Sequence, residues 1–198
     1  KGIAVGDDNQ GVVPANLAVT NDGIVLAAVA KLGSGNTDAW LVKLGFDGGI
    51  VWQKRFGGVG LDSFLDVIAT SDGNLLAGGY LTTGNGDQDA WLVKVSPDGV
   101  VLAQRRFGGA ANEQIRSLAE DTAHGAYVFV GTSGQDGLVG SVPAGDLAGC
   151  GAATSVTPVD TAALQAGWTP VASNFNVRSG TTAFLPAAAA STATSTCR

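Results

Sequence analysis

The feature that most constrains the fold is an internal repeat with a constant offset of 51 residues. Residues 38–58 read DAWLVKLGFDGGIVWQKRFGG and residues 89–109 read DAWLVKVSPDGVVLAQRRFGG, which are identical at 13 of 21 aligned positions. Self-similarity at such a period is typical of repeat architectures, in which each copy forms one supersecondary unit and neighbouring copies share a core. The fold prediction therefore starts from the repeated unit.

Each unit is predicted to hold four β-strands. In the second copy the apolar runs are 63–70, 74–81, 89–95 and 100–107. Asp-Gly turns, such as Ser71-Asp72-Gly73, follow the first and third runs, and the glycine-rich loop 82–88 follows the second. Asp-Gly favours hairpins because glycine readily adopts a positive φ. Runs of this length fit strands and are short for helices. Four antiparallel strands per unit predict an all-β fold built from β-propeller blades.

The repeat divides the chain into five parts. They are an N-terminal strand and loop at 1–14, a first blade at 15–58, a second at 59–109, a degenerate third at 110–150 and an Ala/Ser/Thr-rich segment at 151–198. Aromatic residues recur at matching positions of the first two blades, and packing between blades is the favoured interpretation of the tryptophans, ahead of sugar stacking. The aromatic pairs are Trp40 with Trp91 and Phe56 with Phe107. In the third blade Leu138 stands at the position of the tryptophans.

The motif D-A-W-L-V-K-L/V, followed by D-G, by R-F-G-G and by a Ser/Asn-Asp-Gly hairpin, resembles a known family. It is similar to the SBBP-type β-propeller repeats of secreted and surface bacterial proteins, over roughly residues 15–150. The resemblance implies a propeller fold and an exported location, which is extracellular, on the cell surface or periplasmic. It implies no particular activity, because fold does not fix function.

Charge and hydropathy argue against two classes of partner. The net charge is −6, from 11 basic and 17 acidic residues, and no basic stripe is present to neutralise phosphates. Nucleic acid is therefore not an expected partner. No apolar run reaches the roughly 20 residues of a transmembrane helix, and no signal peptide is recognisable. The basic pairs Lys54-Arg55 and Arg105-Arg106 are interpreted as solvated residues of outer strands that discourage edge pairing.

Candidate binding residues are acidic and amide side chains of glycine-rich loops, which are predicted to open on one face. They are Asp62, Glu113, Asp87, Asn85 and Asn36. Such oxygens could bind calcium, but their spacing matches neither an EF-hand loop nor the nonapeptide calcium repeat, so no cofactor is assigned. A separate set of strand-start aspartates is interpreted as tying down turns through backbone amides. This set is Asp38, Asp89 and Asp136.

The sequence contains no recognisable catalytic constellation. The sole histidine, His124, lies in a predicted hairpin, and no Gly-x-Ser-x-Gly motif accompanies it. The leading hypothesis is a non-enzymatic extracellular module with a structural or protein-binding role, whose partner is another protein or a neighbouring subunit. The alternative is a polysaccharide-acting hydrolase or lyase, or a carbohydrate-binding module, in which Asp62 and Glu113 supply paired carboxylates. Their symmetry-related positions favour a role in the fold instead.

Two expectations concern how the chain is closed. Cys150 and Cys197 bracket the C-terminal segment and are predicted to form a disulfide in an exported protein. Propellers need about four to eight blades to close a ring, and about three are counted. Either residues 151–198 add a degenerate fourth blade, or the chain is part of a larger propeller or assembly. The chain contains no methionine, and residues 151–198 contain no Asp-Gly hairpin. Both observations favour a part of a larger propeller or assembly.

Overall fold

The structure is a computed structural model that describes residues 12–33, 35–147 and 159–160. It is all-β, as predicted, and forms three antiparallel sheets. The first sheet contains β1 (Val12–Thr20), β2 (Gly23–Gly33), β3 (Asn36–Leu44) and β4 (Ile50–Phe56). The second contains β5 (Ser63–Ala69), β6 (Leu75–Thr82), β7 (Gln88–Val95) and β8 (Val101–Phe107). The third contains β9 (Glu113–Asp121), β10 (Ala126–Ser133) and β11 (Asp136–Pro143).

Two short elements follow the third sheet. A 3₁₀ helix, Ala144–Asp146, comes directly after β11. The two-residue strand β12 (Val159–Asp160) pairs antiparallel with β4 and becomes the fifth strand of the first sheet. No helix in the described ranges is long and apolar enough to cross a membrane.

The four strands predicted for the second unit are confirmed, and their ends differ from the prediction by no more than one residue. The agreement arises because the turns between them are specified locally. Gly73 and Gly99 both have a φ of +80°, a conformation that side-chain-bearing residues rarely adopt. In each of these hairpins the glycine N–H donates to a backbone carbonyl three residues earlier, Thr70 for Gly73 and Ser96 for Gly99.

The sheets stack in chain order, so the second sheet is buried on both faces. One face packs on the first sheet, and its core includes Leu41, Phe56, Phe64 and Trp91. The other packs on the third sheet, where Leu76 and Leu92 meet a set of apolar residues. This set is Ile115, Leu118, Tyr127, Phe129, Val142 and Leu147. Burial on both faces explains why residues 90–93 of β7 form a continuous apolar run, since alternate residues enter different cores.

Trp40, Trp91 and Leu138 hold equivalent register positions on the third strand of their sheets. They lie opposite Ala28, Gly79 and Gly131, respectively. Both tryptophans are buried, but their neighbours differ. Trp91 packs between the first two sheets, whereas Trp40 lies on the face of the first sheet that points away from the second.

The described sheets do not close into a ring or a barrel, so the propeller arrangement stays a proposal. The third sheet has three described strands in place of the four seen in the repeated units. Several predictions fall outside the described residues: the N-terminal segment 1–11, most of 151–198 and the Cys150–Cys197 disulfide.

Candidate functional site

The loops predicted to share one face do lie together. Asn36, at the start of β3, accepts a hydrogen bond from the N–H of Gly60, in the loop between the first and second sheets (3.2 Å). The hydroxyl of Thr82, at the end of β6, donates to the carbonyl of Leu61 in that same loop (2.7 Å). The loops joining second to third strands therefore contact the loops that join successive sheets.

Asp62 lies at the centre of this loop cluster and is completely buried. One carboxylate oxygen, Oδ2, accepts from the N–H of Gly58 (2.8 Å), and the other, Oδ1, accepts from the N–H of Thr82 (2.7 Å). The side chain thereby joins the end of the first sheet to the second strand of the next. Both oxygens already have hydrogen-bond donors from the fold.

Glu113 repeats this arrangement between the second and third sheets. Its Oε2 accepts from the N–H of Gly109 (3.0 Å) and its Oε1 accepts from the Ser133 hydroxyl (2.8 Å). Gly109 lies 51 residues after Gly58, and Ser133 follows Thr82 at the same offset. The two acidic residues therefore hold successive sheets together in the same way.

A second carboxylate accompanies each of them. Asp38 forms an ion pair with Arg55 (3.0 Å) and lies near Asp62, and Asp89 forms one with Arg106 (2.9 Å) near Glu113. We refer to Asp38–Asp62 and Asp89–Glu113 as the carboxylate pairs. Within the described part of the chain, the second oxygen (Oδ1) of both Asp38 and Asp89 is buried without a hydrogen-bond donor.

These contacts correct two interpretations made from the sequence. Asp38 and Asp89 engage arginines of the fourth strands, whereas a turn-capping role through backbone amides had been expected. The basic pairs are not simply solvated. Arg105 is buried, its guanidinium lies 4.9 Å from the centre of the Phe107 ring, and it donates to the Asp146 carbonyl (3.4 Å). The sequence shows that these residues repeat, but it does not show which side chains of neighbouring strands they contact.

The remaining predicted loop residues do not join the carboxylate pairs. Asn85 is exposed, and its N–H donates to the Thr83 hydroxyl (3.3 Å). The backbone carbonyl of Asp87 accepts from the Thr83 N–H (2.8 Å) within the same turn. Phe56 is buried between the first two sheets, and Phe107 contacts Phe129 of the third at a centroid distance of 5.5 Å.

Two ion pairs at the opposite end of the sheets also repeat, and the sequence reasoning missed them. Lys43 bonds to Asp22 (2.7 Å) and Lys94 to Asp72 (2.5 Å), so each lysine of a third strand reaches the hairpin between the first two. Burial alone would raise the pKa of Asp72, but the hydrogen bonds from Lys94, Thr70 and Asn74 together outweigh it and the pKa is lowered. The signal was available, because the hairpin aspartate and the third-strand lysine recur in both repeats, at offsets of 50 and 51 residues respectively.

Asp66 is a further buried carboxylate that the sequence reasoning did not select. Its Oδ1 accepts from the Asn16 side chain of β1 (2.5 Å), and its Oδ2 accepts from the Leu118 N–H of β9 (2.7 Å). One side chain of the second sheet thus contacts both neighbouring sheets. No regular sequence signal marks it, since Ser117 occupies the position 51 residues later.

The single histidine of the chain lies away from the carboxylate pairs. His124 is exposed in the β9–β10 hairpin, where its Nδ1 lies 2.6 Å from the Asp121 carboxylate. This is the turn position predicted for it. The described residues contain no group of three or more His, Cys, Asp or Glu side chains arranged to hold a metal ion.

The raised pKa values of the buried aspartates Asp38, Asp62 and Asp89 predict that the protein is more stable at mildly acidic pH. Burial raises the pKa of Asp38, and the charge of Asp62 adds to it against the opposing effect of Arg55. Burial likewise raises the pKa of Asp89, opposed by Arg106 and reinforced by Glu113 and Asp87. The folded state then takes up protons before the unfolded state does, so the free energy of unfolding rises as pH falls from neutral towards the ordinary value of 3.8.

Below that value the trend should reverse, because the lowered pKa of Asp72 means that its contact with Lys94 is lost on protonation. Urea unfolding measured from pH 7 down to pH 3 would show the maximum. The Asp38→Asn/Asp89→Asn double variant should show a smaller rise between neutral and mildly acidic pH, with Asp62, whose pKa burial also raises, supplying the remainder. Asp98→Asn, in an exposed hairpin, should keep the full rise. A rise unchanged in the double variant would contradict the assignment.

Glycine is required beside the carboxylate pairs, which gives a second prediction. The point at which a Cβ on Gly57 would lie is 2.5 Å from Asp62 Oδ2 and 2.6 Å from Asp38 Oδ1. A Cβ on Gly108 would collide with Asp89 in the equivalent place, whereas one on Gly109 would meet no atom within 4 Å. Gly108→Ala should therefore cost about 1–3 kcal/mol of unfolding free energy through overpacking. Gly109→Ala is the matched control, and equal effects on the urea midpoint would refute the prediction.

Comparison with known proteins adds little to this geometry. No protein-family model and no curated protein matches the chain, so the resemblance to SBBP-type repeats depends on the residues alone. A crystal structure of a protein of unknown function from Bacteroides caccae is similar at 15% sequence identity and a TM-score of 0.40. The match covers 69% of this chain and 47% of that one, so the chain spans about half the length of that protein.

Proposed function

We propose that the chain is a structural, protein-binding module of stacked β-sheets that acts outside the cell or at its surface. The observation that carries this proposal is the repeated use of Asp62 and Glu113 inside the fold. Each has both carboxylate oxygens bound by donors from the flanking sheets, at the same relative positions. Residues repeated and used in this way serve the stacking of sheets, which is what a scaffold requires.

The burial of the carboxylate pairs supports this function over polysaccharide cleavage. Glycoside hydrolysis needs two carboxyl groups on opposite sides of a bound sugar, one of them free to transfer a proton. Asp62 has no exposed surface, and Asp38 and Asp89 are at most 7% exposed. No sugar can reach between such groups without separating the sheets.

The exported location and the propeller arrangement are part of the same proposal. They are supported by the repeated D-A-W-L-V-K and R-F-G-G sequences and by the stacking of three sheets in chain order. The inner strands β1, β5 and β9 contact one another in sequence, as consecutive blades of a propeller do. A chain of this kind presents loops and strand edges to a partner.

A reducing-sugar assay over a panel of soluble polysaccharides tests the proposal against its enzymatic alternative. We expect no sugar release by the wild-type protein. Asp62→Asn and Glu113→Gln should lower the urea midpoint, because each weakens a contact between sheets. Sugar release by the wild-type protein that either variant abolishes while remaining folded would overturn the proposal and establish the alternative.

A further inference from the structure

The outer edge of the third sheet differs from those of the other two. In the first and second sheets, a fourth strand covers the edge of the third strand: β4 pairs with β3 and β8 with β7. In the third sheet, β11 pairs with β10, and no described strand lies on its other side. Beside this edge Val130 and Val139, which pair across β10 and β11, are 47% and 66% exposed. An unpaired strand next to apolar surface is a template for another strand.

The equivalent edges show what such a strand carries. In the second sheet Arg106 lies opposite Trp91 and forms an ion pair with Asp89, two residues before that tryptophan. In the first sheet Arg55 lies opposite Trp40 and pairs with Asp38 in the same way. Each arginine is followed by a phenylalanine, which lies opposite the alanine that precedes the tryptophan on the third strand. The fourth strand therefore supplies an Arg-Phe pair at a fixed register.

Among its described strands, the third sheet has a carboxylate at the position of Asp38 and Asp89 but no fourth strand that carries an arginine. Leu138 holds the register position of the two tryptophans, and Asp136 lies two residues before it. Asp136 is exposed and forms no ion pair or hydrogen bond with another side chain in the described part of the chain. β11 contains no lysine or arginine, so a second copy of this strand would bring no cation to Asp136. The charge at this edge calls for a basic partner of a different sequence.

We propose that the β11 edge binds an extended segment of a protein partner that carries arginine followed by an aromatic residue. This inference rests on the proposed protein-binding function and names its partner class. The segment adds as an antiparallel strand, with its arginine opposite Leu138 and its aromatic residue opposite Gly137. Main-chain hydrogen bonds along the edge supply affinity, and the guanidinium on the Asp136 carboxylate sets the register.

A labelled synthetic peptide with the sequence of residues 101–109, VLAQRRFGG, provides the probe. Its fluorescence anisotropy is titrated with the full chain, and a second peptide carries glutamine in place of the second arginine. We expect the arginine peptide to bind saturably with a dissociation constant below about 1 mM. The glutamine peptide should bind at least about fivefold more weakly, since it lacks the charge-assisted hydrogen bond. Asp136→Asn should weaken binding of the arginine peptide by a similar factor and leave the glutamine peptide unaffected. Asp98→Asn, an exposed control, should bind like wild type.

Three results would overturn the inference. The first is no saturable binding by the wild-type chain, and the second is equal affinity for the two peptides. The third is concentration-dependent dimerisation in light scattering that Val139→Lys abolishes, because this would assign the edge to a second copy. Circular dichroism of each variant checks that its fold is intact. If the peptide does not bind and the polysaccharide assay shows no sugar release, the β11 edge is excluded as the binding site but the proposed function is not. The two proposals can therefore be rejected independently.

Discussion

Replacing Asp66 with alanine should lower the free energy of unfolding by about 3–5 kcal/mol, because buried donors lose their acceptor. Asp66 is 3% exposed. Its oxygens accept from the N–H groups of Val67 (2.8 Å) and Leu118 (2.7 Å), and from the Asn16 side chain (2.5 Å). A methyl group in place of the carboxylate would leave two backbone donors unsatisfied. The three donors, Asn16, Val67 and Leu118, belong to three different sheets.

Urea unfolding followed by circular dichroism measures this effect, with the midpoint and the slope recorded separately. Asp98→Ala, on an exposed hairpin, should stay within about 0.5 kcal/mol of wild type. Asp66→Asn keeps one acceptor oxygen and should fall between the two. A loss below about 1 kcal/mol for Asp66→Ala would mean that water replaces the carboxylate, and that Asp66 does not hold the sheets together.

The strands of the repeated unit could be predicted from the sequence because their signals are local. Each Asp-Gly turn fixes its own hairpin, and alternation along seven or eight residues fixes the strand between turns. Asp66 shows where such signals end. Its partners Asn16 and Leu118 lie 50 and 52 residues away, and they meet only after three sheets have stacked. Nothing within the strand 63–69 marks this residue as a junction.

The carboxylate pairs were predicted in part. The equal spacing of Asp62 and Glu113 indicated a shared role in the fold, and the structure places both at equivalent junctions. The pairing of Asp38 with Arg55 was missed, because the two residues lie on neighbouring strands whose register the sequence does not state. A repeated acid and a repeated base at a constant separation of 17 residues could have suggested the contact.

The largest single side-chain effect in the core is expected at Trp91. Its side chain is fully buried and stacks on Phe64 at a centroid distance of 5.0 Å, with Phe56 edge-on at 6.2 Å. Trp91→Ala would leave a cavity between the first and second sheets, and substitutions of this kind typically cost about 3–5 kcal/mol. Urea unfolding followed by far-ultraviolet circular dichroism measures the change without depending on the tryptophan fluorescence, which the substitution alters.

Leu138→Ala is the matched control, because Leu138 holds the same register position in the third sheet. Its side chain is only partly buried, and it lies against the core between the second and third sheets. The alanine variant should therefore cost less than Trp91→Ala, about 1–2 kcal/mol, because part of its surface is already in water. Equal losses at the two positions would show that register does not decide their contribution and that the third sheet is packed as tightly as the second. A loss at Leu138 smaller than its smaller side chain accounts for would identify the third sheet as the less tightly packed end of the described stack.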